Sequence, residues 1–326
     1  MSLSKFIDGN IMTIPDDYFI EILDMNEYPD VNILKTSGST IYKIICGDYL
    51  RDLDCSNCGL EEIICGDSLK ILSCGNNRLE SLILSESLEE VHCYYNKIKM
   101  IRCNDRLKKM FCNDNNIEEI ICGKSLEKLK CSSNKLKKIT CNDSLMILCC
   151  ENNIIEKIKC GESLVLLYCG DNNIKKIRCN DALRDLSCEN NKIEKITCGA
   201  SLKKLGCANN NIKEIKCNDA LMYLHCHNNH LEEIICNDAL VYLNCDNNPL
   251  KYFKCYHRLN TLYIEITDRL LSFFVSRISL YINNQMDQFY DLNNITWQED
   301  MDILESLQSG QRRDDINYKS LFHGRV

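Results

Sequence analysis

Apolar residues recur along most of the chain with a period of 19, separated by short polar stretches. The period is clearest in two series of cysteines, over 55–245 and 46–255, the second of which has Leu84 in the one slot that lacks a cysteine. Each repeat has the pattern L-x-x-L-x-C-x-x-N-x-I-x-x-I-x-C-[GN]-D-[SA], and twelve repeats fit within 31–258. A fixed period of this length predicts a solenoid, in which each repeat forms one coil of a stack.

The apolar positions within one repeat predict the two sides of a coil. Alternating residues such as Leu53 and Cys55 point inward from a short strand, and the residues between them face outward on a concave sheet. The I-x-x-I-x-C part fills the rest of the core. It leaves about five or six residues for the convex side, fewer than two turns of a helix need. We therefore expect extended or 3₁₀ convex segments, and a return turn at Gly-Asp or Asn-Asp, where positive φ is tolerated.

An asparagine follows the strand in ten of the repeats, at the point where the backbone turns. A buried amide at this point can bond backbone groups that no strand partner reaches. Ser39 and Cys58 take the same position in the first two repeats, so we expect the asparagine ladder to begin in the third. Its members are Asn77, Asn96, Asn115, Asn134, Asn153, Asn172, Asn191, Asn210, Asn229 and Asn248.

The segment L-x-x-L-x-C-x-x-N-x-I resembles the leucine-rich-repeat signature, with Cys in the third apolar slot, and the resemblance covers about 70% of the chain. It implies a leucine-rich-repeat solenoid, a right-handed superhelix of the β/α type with a parallel concave sheet. It also implies a scaffold that binds another protein on that sheet and is not an enzyme. The composition, rich in Cys, Ile, Asn and Lys, is similar to that of leucine-rich-repeat proteins of giant viruses of amoebae.

The two ends depart from the repeat, and we expect them to form α-helical caps over the open ends of the core. The predicted domains are an N-terminal helical cap over 1–30, repeats over 31–258, a last strand and C-terminal helical cap over 259–308, and a polar tail over 309–326. Residues 14–24 also resemble the opening of an F-box. That resemblance implies an alternative function, a ubiquitin-ligase substrate adaptor recruited through a helix at 14–24. Pro15 and the acidic residues after it are equally typical of the start of an ordinary capping helix.

Charge and hydropathy narrow the classes of function. The formal net charge is −8, so the chain lacks the broad positive field with which proteins hold nucleic acids. No stretch has the length of a signal peptide core or of a membrane helix. We therefore expect a soluble, monomeric protein of the cytoplasm, or of the host cytoplasm if it is viral, with an unknown protein as its partner and no membrane or nucleic acid bound.

The 24 cysteines are expected to be reduced and to serve as small core residues. Leu84 supports this interpretation, because a leucine could replace neither a metal ligand nor a disulfide partner. Cys55 and Cys58 form a C-x-x-C, a spacing that elsewhere marks zinc or redox chemistry, but Cys55 is a repeat position. Cys149 should face outward on the concave sheet and be the most reactive thiol.

Outward positions of the concave sheet hold the candidate binding residues, because exposed aromatic side chains are typical of interfaces. His225, His227 and Asp246 could alternatively coordinate a metal, although aromatic contacts explain the histidines as well. We assign no metal, cofactor or catalytic residue, since no nucleotide, nucleophile or paired-carboxylate motif was found. The three predicted patches contain His92, Tyr94, Tyr95 and Phe111; Ile147, Leu166 and Tyr168; and Tyr223, His225, His227 and Tyr242.

Overall fold

The computed structural model describes residues 3–178, 180–254 and 259–264. The chain divides into two compact units, an N-terminal unit over Met1–Lys192 and a C-terminal unit over Ile193–Val326. Within each unit the chain winds as a solenoid, and every coil contributes one strand to a long main sheet and a short segment to the opposite side, called the return side. The expected parallel-strand solenoid is confirmed.

The main sheet is built from strands of mostly three residues that pair in parallel with the strand one repeat away, as Lys128 does with Ile147. Ile7–Asp8 is the exception, because it pairs antiparallel with the strand after it. In the N-terminal unit the strands are Ile7–Asp8, Ile11–Thr13, Ile33–Lys35, Asp52–Asp54, Ile71–Ser73, Glu90–His92, Lys109–Phe111, Lys128–Lys130, Ile147–Cys149, Leu166–Tyr168 and Asp185–Ser187. In the C-terminal unit they are Lys204–Gly206, Tyr223–His225, Tyr242–Asn244 and Thr261–Tyr263.

The return side consists of extended segments, as the short repeat requires, and several pair with the next coil as small parallel sheets. The 3₁₀ helices, Leu3–Phe6 and Met25–Glu27, lie before the repeats. Return strands of the N-terminal unit are Phe19–Asp24, Thr40–Ile45, Glu62–Ile64, Met100–Arg102, Glu119–Ile121, Lys138–Thr140, Lys157–Lys159 and Ile177–Arg178. Those of the C-terminal unit are Lys195–Thr197, Glu214–Lys216, Glu233–Ile235 and Tyr252–Lys254.

The helical cap expected over residues 1–30 is wrong, because residues 11–30 form a further coil. Ile11–Thr13 joins the main sheet and Phe19–Asp24 pairs in parallel with Thr40–Ile45 on the return side. Met12 and Leu23 are buried as core residues of this coil. The adaptor alternative thereby loses the helix on which it depended.

This extra coil escapes the repeat pattern because it is longer than the others. Met12 pairs with Leu34, three positions further along the sequence than the repeat would place its partner, whereas Leu34 pairs with Leu53 at the regular period.

The predicted C-terminal helical cap and polar tail lie outside the described residues, apart from 259–264, where Thr261–Tyr263 adds the expected last strand.

The asparagines join each coil to the one before it. Asn153 illustrates the pattern: its Nδ2 donates to the carbonyl oxygens of Cys150 and Glu151 in its own coil and of Cys131 in the preceding coil, all at 3.1 Å. Its Oδ1 accepts from the backbone N–H of Leu136, also in the preceding coil, at 3.0 Å. One amide therefore satisfies backbone groups on both sides of a coil junction where the strands have already ended.

The same arrangement begins at Asn77, which bonds the carbonyl oxygens of Cys55 and Cys74. In the preceding coil the Cys58 thiol donates to the Thr36 carbonyl oxygen at 2.8 Å, so it makes one of the bonds that an asparagine would make. Ser39 similarly donates to the Pro15 carbonyl oxygen at 2.9 Å. The first coils therefore keep a reduced version of the ladder with smaller side chains.

The return turn differs from its sequence prediction. Positive φ occurs instead just before the ladder asparagine, from 52° to 58°, mostly at Asn, Asp or Ser. In the return turns that the structure describes, only Gly47 has it. Gly66 is needed in its own return turn because two coils approach closely there: a Cβ on Gly66 would lie 1.7 Å from the Gly47 carbonyl oxygen. Where this slot holds Asn, as at Asn180, its Nδ2 donates to the backbone of the coil before, here to Gly161 at 2.6 Å.

The cysteines of the described residues are free thiols, and the series that follows the main strand is almost completely buried. Burial raises the pKa of the Cys93 thiol to about 12 and, with a smaller contribution from Cys65, that of Cys46 to about 12. The thiols therefore stay neutral at physiological pH, as apolar core residues must. Leu84, in the same slot as Cys65 and Cys103, is half-buried.

Replacing Asn153 with Ala should lower the free energy of unfolding by about 1–3 kcal/mol, because buried carbonyl and N–H groups of two coils lose their partner. Thermal and urea unfolding monitored by circular dichroism would measure the loss. Asn173→Ala, which removes an amide outside the ladder, is the matched control. Equal melting temperatures for Asn153→Ala and the native protein would contradict a structural role for the ladder.

Most thiols should be unreactive in the native protein, and nearly all 24 should react after denaturation. The reason is burial, which removes the thiols from solvent and suppresses the thiolate form. Titration with a chromogenic thiol reagent, with and without guanidinium chloride, measures both numbers. Extensive disulfides in freshly isolated protein would contradict the role of cysteine as a reduced core residue.

Alkaline pH should destabilise the fold more than in a protein with few cysteines. The pKa values of Cys46 and Cys93 rise from 9.0 to about 12, so the folded state retains protons that the unfolded state releases. The stabilisation is complete below pH 9 and is lost as the pH rises toward 12. Urea midpoints that stay constant from pH 8 to about pH 10.5 would contradict this expectation.

Candidate binding surface on the main sheet

Outward residues of the main sheet form two columns, because strands of adjacent coils pair without a shift. The repeat strands up to Tyr242–Asn244 each have a buried central residue, such as Leu148, between two more exposed ones, such as Ile147 and Cys149. Neighbours in a column belong to successive strands, which lie about 4.8 Å apart. The sequence-predicted residues of each patch are therefore brought together within their unit.

The first patch, in the N-terminal unit, centres on His92 and Phe111. Their rings stack with centroids 4.4 Å apart and planes inclined by 16°. The His92 Nε2 lies 2.8 Å from Glu90 Oε1, which holds the imidazole in place. Lys128 Nζ lies 5.3 Å and Lys130 Nζ 5.9 Å from the centroid of Phe111. Sequence reasoning missed these two lysines, although the outward columns contain them.

Tyr94 and Tyr95 extend this patch toward the turn, with their rings 6.0 Å apart in an edge-to-face arrangement. Tyr94 lies over Gly75, where a Cβ would come within 2.5 Å of the tyrosine ring, so glycine makes room for it. Tyr95 has φ 52° in the position where other coils have mainly Asn, Asp or Ser, and it is 58% exposed. A bulky residue rarely adopts this conformation, which makes Tyr95 a strained and accessible side chain.

The middle patch, also in the N-terminal unit, consists of Ile147, Leu166 and Tyr168. The Tyr168 hydroxyl donates to Asp185 Oδ2 at 3.3 Å, and desolvation together with this carboxylate raises the pKa of Tyr168. Cys149 pairs with Tyr168 in the same outward column and is half-buried. Desolvation and the Glu151 charge raise the pKa of Cys149 to about 11, so its position does not produce a reactive thiolate at neutral pH.

The third patch, in the C-terminal unit, is a run of stacked aromatic rings. The rings of His225 and Tyr242 lie 4.5 Å apart with planes inclined by 29°, and Tyr223 lies 6.5 Å from Tyr242. Lys204 Nζ lies 5.6 Å from the centroid of the Tyr223 ring. The structure adds Tyr263, 6.0 Å from Tyr242, which sequence reasoning missed although it falls one repeat after Asn244 in an outward column.

The structure does not assemble a metal site from the third patch. Within the described residues, no group of three or more His, Cys, Asp or Glu side chains is arranged to hold a metal ion. His227 is partly buried, and its Nδ1 has no hydrogen-bond partner. His225 instead stacks on Tyr242, as aromatic packing would require.

The C-x-x-C pair occupies core positions. Cys55 is fully buried, and desolvation raises its pKa well above the ordinary value. Cys58 takes the ladder slot, and desolvation outweighs its hydrogen bonds with Thr36 and nearby backbone and raises its pKa. A redox cysteine needs a low pKa and access to solvent. Both thiols are buried and have a raised pKa, so neither meets either condition.

Comparisons with known proteins give the fold. No family model matches the chain, and no curated protein is significantly similar to it in sequence. Among solved structures, YopM, a leucine-rich effector protein from Yersinia pestis, is 22% identical with a TM-score of 0.58, over 73% of this chain and 78% of its own. The APL1 leucine-rich repeat domain is 15% identical with a TM-score of 0.59, over 87% of this chain and 94% of its own.

A second YopM structure, from Yersinia enterocolitica WA-314, is 20% identical over 72% of this chain, with a TM-score of 0.49. The chain spans 66% of the length of that protein. In the described residues, no helix is long and apolar enough to cross a membrane. The repeat, the parallel sheets and the similarities to YopM of Yersinia pestis and to the APL1 domain together show a leucine-rich-repeat fold.

Proposed function

We propose that the protein is a non-catalytic scaffold that binds another protein on the outward face of its main sheet. The observation that carries the proposal is the stacking of partly exposed aromatic rings at outward positions, above all His225 on Tyr242 and His92 on Phe111. A leucine-rich-repeat fold supports an interaction scaffold in general, and the aromatic patches are the part that this chain adds to it.

Aromatic side chains at these positions suit a binding role for physical reasons. Tyrosine offers a large apolar surface and a polar hydroxyl, and it loses little conformational entropy on binding because it has few rotatable bonds. Mutual stacking reduces that loss further, since Tyr242 is already held between His225 and Tyr263. A surface that is ordered before binding loses less free energy on association than a flexible one.

The return side of the middle coils contrasts with the main-sheet face. Its outward residues include exposed charged side chains such as Lys137, Lys138, Lys175 and Lys176. Charged residues of this kind are typical of a solvated surface rather than of the centre of an interface. The net charge of −8 disfavours nucleic acid as the partner, which leaves a protein as the proposed ligand.

We propose a reducing compartment such as the cytoplasm, including that of an amoeba infected by a giant virus, as the place where the protein acts. The support is the core, whose close-packed thiols would be disturbed by oxidation. The similarity in composition to leucine-rich-repeat proteins of giant viruses points to the same compartment.

Tyr223→Ala combined with Tyr242→Ala should weaken partner binding while leaving the fold intact. Both side chains point away from the core, so their truncation should not disturb the fold. Truncation of an aromatic hot spot lowers the binding free energy by about 2 kcal/mol or more. The partner would be captured from lysate with the native protein, identified by mass spectrometry, purified and titrated against each variant by calorimetry.

Lys175→Ala combined with Lys176→Ala is the matched control and should be nearly neutral, because both lysines are exposed on the return side. Circular dichroism would check that all variants are folded. Loss of binding in the lysine variant, with binding retained in the tyrosine variant, would refute the proposed surface.

A further inference from the structure

The return side of the first coils carries an exposed apolar stripe that the binding face does not include. Ile45 pairs with Ile64 on adjacent return strands, and Ile83 follows one repeat later. The exposed fraction is 44% for Ile64 and 83% for Ile83, and Ile45 is half-buried. Contiguous exposed isoleucines on a soluble protein mark an interface, because such a surface gains free energy when it is removed from water.

The row that contains Ile45, Ile64 and Ile83 has a charged residue at each end, and the two charges are of opposite sign. Asp24 pairs with Ile45 from the first return strand, and Arg102 follows Ile83 by one repeat. Along five successive coils the row therefore reads Asp24, Ile45, Ile64, Ile83 and Arg102. The Asp24 carboxylate also accepts from the Asn26 N–H at 2.9 Å, so its position is held locally.

Two neighbouring rows lie beside this one on the return side. The adjacent row reads Ile22, Lys43, Glu62, Ser81 and Met100, and the Lys43 and Glu62 charges pair with each other at 2.9 Å. The row beyond it reads Glu21, Tyr42, Glu61, Glu80 and Lys99. The first coil thus presents acidic and apolar side chains, and the fifth coil presents basic and apolar ones.

We propose that this stripe binds a second copy of the chain, in an antiparallel arrangement with a two-fold axis at Ile64. A two-fold axis brings the same surface of both copies together, so the surface must be complementary to itself. Here the axis places Ile64 opposite Ile64, and Ile45 opposite Ile83 of the second copy. The isoleucines of the row then face one another across the axis.

The charges at the two ends of the stripe favour this direction over its opposite. The axis itself sets Glu61 against Glu61 and Glu62 against Glu62, and Lys43, whose Nζ lies 2.9 Å from Glu62 Oε2, offsets part of that repulsion. Antiparallel pairing sets Asp24 against Arg102, and Glu21 against Lys99, with Ile22 against Met100 between them. Each contact occurs twice in the dimer. Parallel pairing would set Asp24 against Asp24 and Arg102 against Arg102, which costs free energy because like charges repel at close range. The arrangement differs from the monomer expected from the sequence, and it leaves the main-sheet face of the N-terminal unit accessible in each copy.

Sedimentation equilibrium of the full chain over a range of concentrations tests the proposal. The native protein should give twice the monomer mass of 37.7 kDa. Ile64→Glu combined with Ile83→Glu should raise the dimer Kd by at least about 100-fold, because four charges enter an apolar contact. A native protein that is monomeric at every concentration, or a dimer that the double variant leaves unchanged, would overturn the proposal.

Ile235→Glu is the matched control, because Ile235 is an exposed isoleucine at the same repeat position as Ile64, in a return strand of the C-terminal unit. The proposed contact uses only residues of the N-terminal unit, so this substitution should leave the dimer intact. If Ile235→Glu dissociates the dimer as strongly as the double variant, the contact is not the stripe of Ile45, Ile64 and Ile83.

Charge reversal tests the antiparallel direction. Glu21→Lys and Lys99→Glu should each weaken the dimer, and the two changes together should restore it, because the exchanged charges again face each other. Failure of the combined variant to regain the native Kd would exclude this arrangement. Far-ultraviolet circular dichroism and thermal melting of each variant separate loss of the dimer from loss of the fold.

Discussion

The turn after each main strand is the constraint on which the solenoid depends. A coil this short must reverse direction within a few residues, and the backbone groups at the reversal face neither solvent nor a strand partner. The ladder asparagine resolves this by donating to carbonyl oxygens of two coils and accepting an N–H of the earlier coil, as Asn153 does with Cys131, Cys150 and Leu136. A register shift by one residue would break all of these bonds together.

Because the ladder holds the register, the side chains that do not contribute to it can vary. Outward positions change in charge, size and polarity from coil to coil, whereas inward positions stay buried and mostly Leu or Cys, with exceptions such as Val91 and Met110. This freedom produces local surfaces on a uniform framework. Tyr95 shows how far the variation reaches: it occupies a left-handed position that suits Asn, and its neighbour Tyr94 uses the space above Gly75. Such a departure from the local preference is where a selected function is expected.

The cysteines and some of the glycines allow successive coils to pack closely against each other. A thiol is smaller than a leucine side chain and remains neutral when burial raises its pKa, so it fills the core of a short coil without introducing charge. In the return turn, Gly66 allows a backbone approach that a Cβ would prevent. The same slot filled by Asn forms a second set of bonds between coils, such as that from Asn180 to Gly161.

The sequence alone determined the solenoid, the inward and outward positions and the extended return segments. All three follow from the fixed period, since alternation along a strand needs only local spacing. It also indicated most of the outward aromatic residues, although their use by a partner is a proposal. The coil at 11–30 was not predictable from the period, because its greater length breaks the pattern and the spacing of Phe19, Ile22 and Leu23 suits a helix as well as this strand.

Tertiary structure decided what depends on contact between coils. Whether Phe19–Asp24 becomes a helix or a strand is set by its hydrogen bonds to Thr40–Ile45, which belongs to the next coil. The need for Gly66 arises from a carbonyl group one repeat earlier, and the stripe of Ile45, Ile64 and Ile83 forms only when successive return segments lie side by side. Local spacing describes one coil, whereas a surface made of several coils exists only after their backbones have paired.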